Sequence, residues 1–285
     1  KTPHIEYIID LLSKQYKVAV VSRGYKRKSK RMQVVNVNSD VKRVGDEPLQ
    51  IKLKYPNTTV IVDKDRRNAI EYLLAQENQL QPDVILLDDG YQHRYVKPSL
   101  SVLLVDSNRP IYEDALLPAG RLREPLKRKD RASIVLVTKC SSTMQPINFR
   151  IFANGLNLFP FQSLYFTGFK YNRLRPVFAE FNQESFGLDD IRKKQVLLVT
   201  GIATTKPLEN KLRKKTYNLH TLFFPDHHFF NKDDIKSIEK RFTELSGDKI
   251  VVTTEKDAVR LQAMPYLSDD LKEKLFYLPI NVSFL

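Results

Sequence analysis

The stretch DVILLDDGYQH, residues 83–93, sets the reading of the whole sequence. Its run Val84, Ile85, Leu86, Leu87 is apolar, short and bounded by polar positions, which predicts a buried strand. Two carboxylates, Asp88 and Asp89, follow at its C-terminal end, the edge where open α/β sheets place ligands. Such a pair suits Mg²⁺, a hard cation held by carboxylates, water and substrate phosphates. A structural or capping Asp explains the same spacing equally well, so the motif gains meaning only from its neighbours.

Those neighbours repeat the pattern. KVAVVS (17–22), TVIVD (59–63), SVLLVD (101–106) and SIVLVTK (133–139) are also short apolar runs, and NAIEYLLAQENQL (68–80) has helical period. Strand and helix in alternation predict an α/β fold with a mostly parallel sheet and flanking helices. From 141 to 190 the chain is richer in Phe, Tyr, Asn and Pro. SLYFTGFKY (163–171) and RPVFAEF (175–181) predict an antiparallel pair linking two lobes. A second α/β pattern follows in QVLLVTGIA (195–203), NLHTLFF (218–224) and KIVVTTEKD (249–257). The expected organisation is a first lobe over 1–160, a β-stranded linker over 161–185 and a second, smaller lobe over 186–285.

Composition bounds the function. The chain has 285 residues, 42% hydrophobic and 28% charged, as in ordinary globular proteins. No apolar run reaches the roughly 18 residues that a bilayer-spanning helix needs. One cysteine, Cys140, excludes an internal disulfide and a thiolate zinc site. A net charge of +14 points to anionic partners: phosphorylated substrate, nucleic acid or an anionic membrane. The excess is concentrated in KRKSKR (26–31) and REPLKRKDR (123–131), although solvated basic faces have the same composition.

Several other segments carry chemistry. KTPHIEYIIDLL (1–12) places Lys1 and Thr2 at the start of a helix, which is how a phosphate-binding loop, G-x-x-x-x-G-K-[ST], ends. In such a loop the Lys reaches the β/γ-phosphates and the Thr ligates Mg²⁺. SRGYKRKSKR (22–31) follows a strand, with Gly24 suited to a tight turn. VGDEPL (44–49) sets Asp46 and Glu47 before Pro48, a helix start in which either acid can cap. DKDRRNA (63–69) has the same ambiguity. LLPAGRLREP (116–125) cannot be regular, with two prolines and a glycine, and its Arg121 and Arg123 are natural phosphate forks. FFPDHHFF (223–230) puts Asp226 beside His227 and His228; an acid–imidazole pair can take or orient a proton, and packing among aromatics is the competing explanation. TTEKDAVRL (253–261) reads as a capped helix start.

In this order, KTP, VVSRGY, VGDEP, DR, ILLDDGYQH, LLPAGRLREP, VTK, TGIA, FPDHHFF and TTEKDAVRL resemble the tetraacyldisaccharide 4′-kinase (lipid A 4′-kinase) family, from residue 1 to about 261. The resemblance implies a P-loop NTPase-like kinase of two α/β lobes with the active site between them. It implies transfer of the γ-phosphoryl group of ATP, with Mg²⁺, to the 4′-hydroxyl of an anionic, acylated disaccharide 1-phosphate. It further implies association with the cytoplasmic face of the inner membrane of a Gram-negative bacterium, and no nucleic-acid partner. Oligomeric state is left open.

Carried over residue by residue, Lys1 and Thr2 match the phosphate-loop end, with Thr2, Asp88 and Asp89 as metal ligands. Asp46, with Glu47 beside it, matches the base toward the 4′-hydroxyl. His227, following Asp226, matches the histidine that assists it. Arg66 and Arg121 match basic positions near the transferred phosphoryl, and Gln92 and His93 line the site. His228, Lys256 and Arg23 receive no role. The loop glycines, the strand before them and a membrane anchor are expected upstream of Lys1, so poor ATP binding is expected of the sequence as it stands. Two other classes fit the composition: a nucleic-acid-stimulated P-loop NTPase, and a non-catalytic membrane-surface protein on a kinase scaffold.

Overall fold

The computed structural model describes all 285 residues, Lys1–Leu285. In chain order the strands are β1 (Val18–Ser22), β2 (Gln33–Val35), β3 (Thr59–Val62), β4 (Val84–Leu87), β5 (Val102–Asp106), β6 (Ile134–Thr138), β7 (Ser163–Tyr171), β8 (Arg175–Pro176), β9 (Gln195–Thr200), β10 (Asn218–Phe223), β11 (Lys249–Thr254), β12 (Leu275–Leu278) and β13 (Ile280–Phe284). The helices are α1 (Thr2–Leu12), α2 (Val41–Val44), α3 (Asp46–Lys54), α4 (Arg66–Leu74), α5 (Pro146–Leu156), α6 (Lys206–Arg213), α7 (Lys232–Thr243), α8 (Glu255–Gln262) and α9 (Asp269–Lys274). Two 3₁₀ turns, Ile111–Glu113 and Leu126–Arg131, precede β6. No helix is long and apolar enough to cross a membrane.

The residues group into two compact units. The first comprises Lys1–Arg23, Asp65–Lys170 and Asn281–Leu285; the second comprises Gly24–Lys64 and Tyr171–Ile280.

In the first unit β1 and β4 pair in parallel, Val18 opposite Val84 through Val21 opposite Leu87. Every residue of β1 is buried, as expected of a parallel strand covered on both faces. A second sheet has the order β13-β7-β6-β5, with β5, β6 and β7 parallel. Its core joins Val105, Val135 and Val137 to Phe152 and Leu156 of α5. Helix α4 starts where the Asp65 carboxylate accepts from Arg67 N, two residues before the periodic segment read from the sequence. It ends at Leu74 rather than 80, because Gln81 Nε2 donates to the carbonyls of Leu74 and Gln76 and turns the chain.

The second unit is built on a five-stranded sheet of order β10-β9-β11-β12-β8, parallel except for β8. Alternate residues of its central strands serve opposite faces, the two-residue period of a pleated strand. Leu197, Val199 and Val251 pack with Ile235, Ile238 and Phe242 of α7 and with Leu261 of α8. Val196, Leu198, Ile250 and Val252 pack with Leu208 and Leu212 of α6. In the same unit β2 and β3 are antiparallel and α3 packs on α8.

The antiparallel pair expected of SLYFTGFKY and RPVFAEF does not form. β7 runs parallel to β6, whereas β8 is two residues long and lies antiparallel to β12 at the sheet edge. Pro176 has no N–H to donate, which confines this segment to an edge and ends its ladder early.

Candidate functional site

Two groups of polar side chains stand out, one in each unit. In the first unit, β4 delivers Asp88 and Asp89 to its C-terminal end. Asp88 is buried and its Oδ2 accepts from Ser22 Oγ at 3.2 Å. Asp89 takes a left-handed φ of 47°, which costs about 1–3 kcal/mol in a non-glycine residue and turns its carboxylate out of the strand direction. There its Oδ1 accepts from Lys1 Nζ at 2.6 Å. Burial alone would raise the Asp89 pKa; Lys1, Arg123 and Arg66 outweigh it and hold the carboxyl below its ordinary value.

Arg66, the buried first residue of α4, donates to the carbonyls of Asp88 (3.3 Å) and Asp89 (3.1 Å) and so fixes the turn after β4. Thr2 is buried at the first position of α1. Gln92 Oε1 accepts from Arg123 at 3.4 Å, and His93 Nε2 lies 3.9 Å from Asp65 Oδ1. Burial, followed by the Arg66 charge, pushes the His93 pKa down, which keeps the ring neutral and able to accept. Arg121 sits in a loop pinned by Asp114, whose Oδ1 accepts from the backbone N–H of Ala115 (2.9 Å) and Arg121 (3.0 Å). The Arg121 side chain itself is exposed, so this loop presents it without engaging it in the buried centre around Asp88.

In the second unit, VGDEP starts α3. Gly45 has φ 95°, a conformation that glycine adopts without strain, and it turns the chain so that Asp46 becomes the first helical residue. Asp46 is buried, and its Oδ1 accepts from Glu47 N at 2.8 Å. Its Oδ2 accepts from Arg260 through Nε (2.9 Å) and through a second, shorter bond. His227 Nδ1 stands 3.3 Å from the same oxygen, and Asp226 Oδ2 lies 3.8 Å from His227 Nε2. His227 also adopts a left-handed φ, 57°, and its N–H bonds Gly201 O. Gly201 of the TGIA turn permits this approach, since a Cβ there would meet Pro225 O at 3.0 Å.

The cations of this group come from α8. Lys256 Nζ lies 3.1 Å from both Glu47 Oε1 and His227 Nε2, and Arg260 Nη1 donates to Asp257 Oδ1 at 2.8 Å. An ammonium can only donate, so His227 Nε2 accepts and its proton sits on Nδ1, directed at Asp46. Burial alone would raise the Asp46 pKa; Lys256, Arg260 and His227 together hold it below the ordinary carboxylate value. Lys256 and Arg260 escape a sequence reading because TTEKDAVRL explains itself as a helix start, and Thr254 does cap α8 by accepting from Asp257 N. Their i, i+4 spacing, which puts two cations on one helix face, is the signal that was available. Asp257 is likewise more than a first-turn acid: it is fully buried and also accepts from Thr200 Oγ1, Gly201 N and Thr254 Oγ1. His228 instead bonds Asp234 at 2.8 Å and stacks on Phe224, a packed histidine of the α7 cap.

A family model described as tetraacyldisaccharide-1-P 4′-kinase matches residues 1–284. The chain belongs to that family. Tetraacyldisaccharide 4′-kinases of Phocaeicola vulgatus and Porphyromonas gingivalis (strain W83) are 48% and 42% identical to it. Each comparison covers the whole of this chain, with 78% and 80% of the relative. Among solved structures, LpxK from Aquifex aeolicus, crystallised in complex with ATP, is similar with a TM-score of 0.71 at 28% identity, over 100% of this chain and 79% of that one. Both polar groups therefore sit on the scaffold of a tetraacyldisaccharide 4′-kinase, a P-loop kinase of mixed α/β architecture.

Proposed function

We propose that the protein transfers the γ-phosphoryl group of ATP to the 4′-hydroxyl of a tetraacyldisaccharide 1-phosphate in lipid A biosynthesis. The observation that carries this reading is the match over residues 1–284 to kinases named for that acceptor.

The chemistry of the residues agrees with it. Thr2, Asp88 and Asp89 offer hard oxygen donors, and no group of three or more His, Cys, Asp or Glu forms a cage that would hold a metal unaided. That fits Mg²⁺, which keeps water and phosphate oxygens among its ligands. When bound, Mg²⁺ supplies neutralisation of the charge on the β- and γ-phosphate oxygens. Lys1, whose Nζ lies 2.6 Å from Asp89 Oδ1, adds a cation for the same phosphates. Arg66 acts by positioning, through the two carbonyls that define the Asp88–Asp89 turn. Arg121 presents an exposed fork to an anionic group, and Gln92 and His93 line the approach.

Asp46 takes the proton of the 4′-hydroxyl as the new O–P bond forms and the bond from phosphorus to the ADP oxygen breaks. Phosphoryl transfer asks little covalent help of the protein, so a carboxylate that is reliably ionised and well aimed suffices. His227 stands with Nδ1 3.3 Å from Asp46 Oδ2 and orients it, Glu47 holds Lys256, and Asp226 flanks the imidazole. We further infer that the protein works on the cytoplasmic face of the inner membrane, where ATP and an acylated, anionic acceptor meet; the +14 net charge supports this.

The test is acceptor-dependent ADP formation with purified protein, Mg²⁺ and detergent-dispersed acceptor. Asp46→Asn and His227→Ala should each lower kcat by at least about 100-fold, with little change in the ATP KM. Full turnover in either variant would remove these residues from the reaction.

A further inference from the structure

The part of the first unit that carries the DDGYQH turn also has an exposed apolar face. Phe159 and Phe161, in the F-P-F turn before β7, stack with ring centroids 5.7 Å apart and planes 9° from parallel. Even so they are 50% and 67% exposed. Two large aromatic rings held together in water on a protein surface mark an interaction site.

The backbone beneath the rings is built to hold them outward. Buried Gln162 accepts from Phe159 N (3.0 Å) and donates to the carbonyls of Lys129 (3.0 Å) and Ala132 (2.7 Å). Those last two bonds tie the aromatic turn to the basic turn LKRKDR (126–131), in which Lys127 and Arg128 are exposed. The basic turn is in turn fixed to the segment after Asp88 and Asp89. Tyr91 Oη donates to Arg128 O (2.7 Å), and Arg131 donates to Tyr91 O (3.2 Å).

We propose that Phe159 and Phe161, with Lys127 and Arg128, form the face by which the first unit seats on an anionic lipid bilayer. This rests on the reading that the acceptor is an acylated lipid. Aromatic rings favour the headgroup–acyl boundary, and lysine and arginine beside them add attraction to anionic headgroups. A second copy of the chain or another protein would account for the rings and for Arg128 but not for Lys127, because protein interface cores are depleted in lysine. Seated in this way, the face holds the Asp88–Asp89 turn close to headgroup depth, where an acylated sugar presents its hydroxyl.

The chain contains no tryptophan, so Phe161→Trp supplies a single fluorescent reporter. With vesicles of phosphatidylethanolamine and phosphatidylglycerol its emission should shift to the blue and be quenched by brominated acyl chains. Both effects should weaken with added salt and be small on phosphatidylcholine alone. The double variant Phe159→Ser/Phe161→Ser should keep its turnover on detergent-dispersed acceptor and lose about tenfold or more on acceptor embedded in anionic vesicles. An unshifted, unquenched tryptophan signal from the Phe161→Trp variant on anionic vesicles would overturn the proposal, as would equal activity of the double variant in both assays. Self-association abolished by the double variant, with no vesicle signal, would assign the face to a second copy and overturn it as well. The fluorescence readout needs no turnover: a wild-type protein inactive in detergent would count against the kinase reading and leave the surface to be decided by the tryptophan emission.

Discussion

Arg260 offers the sharpest test of how the second unit holds its acidic centre. Its buried guanidinium spans two buried carboxylates, Asp46 and Asp257, and also donates to Gly201 O at 3.2 Å. Arg260→Met keeps the volume and removes the charge, leaving the Asp46 carboxylate with the Glu47 N–H at 2.8 Å, Lys256 at 3.9 Å and His227 at 3.3 Å. Breaking one side of a buried ion pair costs about 3–5 kcal/mol. For a protein of this size that corresponds to a fall in Tm on the order of 10 °C. The pH dependence follows from the Asp46 carboxyl. In the wild type its folded pKa lies below the unfolded one, so its stabilisation is fully present above the unfolded value and is lost as pH falls through the folded value. Without Arg260 less opposes burial, so the folded pKa moves up and the stabilisation that the ionised carboxyl contributes shrinks. Urea unfolding followed by far-ultraviolet circular dichroism should therefore show the gap between wild type and variant narrowing from neutral to mildly acid pH. Asp46→Asn/Arg260→Met should recover part of the loss, with a coupling of about 2 kcal/mol. A loss below about 1 kcal/mol at neutral pH, or a gap that stays constant with pH, would refute the reasoning.

Three further outcomes are expected. Lys256→Met should move the acid limb of kcat/KM to higher pH by removing a cation from beside Asp46, and Lys256→Arg should restore part of it; the pH profile is the check. Asp89→Asn should leave the unfolding free energy within about 0.5 kcal/mol, because its pair with Lys1 is half-exposed, while lowering kcat at least about 100-fold and raising the Mg²⁺ concentration needed. Gly120→Ala should destabilise the loop by about 1–3 kcal/mol, because its Cβ would collide with the Ala115 carbonyl, and by displacing Arg121 should raise the acceptor KM. Limited proteolysis of the loop and steady-state kinetics measure both effects.

What the sequence makes legible is what short-range physics determines. β1, β4, β6, β9 and β11 are announced by runs of Val, Ile and Leu because a strand covered on both faces needs apolar side chains at every position. Asp65 and Thr254 behave as caps because a cap is satisfied within three residues. The early end of α4 is set by Gln81, just past the periodic segment. The misread strands, by contrast, involve distant partners: the fates of β7 and β8 are decided by β6 and by β12, which the local pattern does not contain. The same holds at the acidic centre. DDGYQH and FPDHH are conspicuous as words, whereas Lys256 and Arg260 look like ordinary helix residues until α8 packs on α3, more than 200 positions away in the chain. A buried arginine gives no sign in sequence of which carboxylate it serves.

The most direct measurement follows the phosphoryl group itself. Protein, Mg²⁺ and ATP labelled at the γ-phosphate are incubated with tetraacyldisaccharide 1-phosphate, and the lipid product is degraded to locate the label. The account predicts a bisphosphorylated lipid with label at the 4′ position, lost in Asp46→Asn. Label released only as inorganic phosphate, or found on the lipid at any other position, would contradict it.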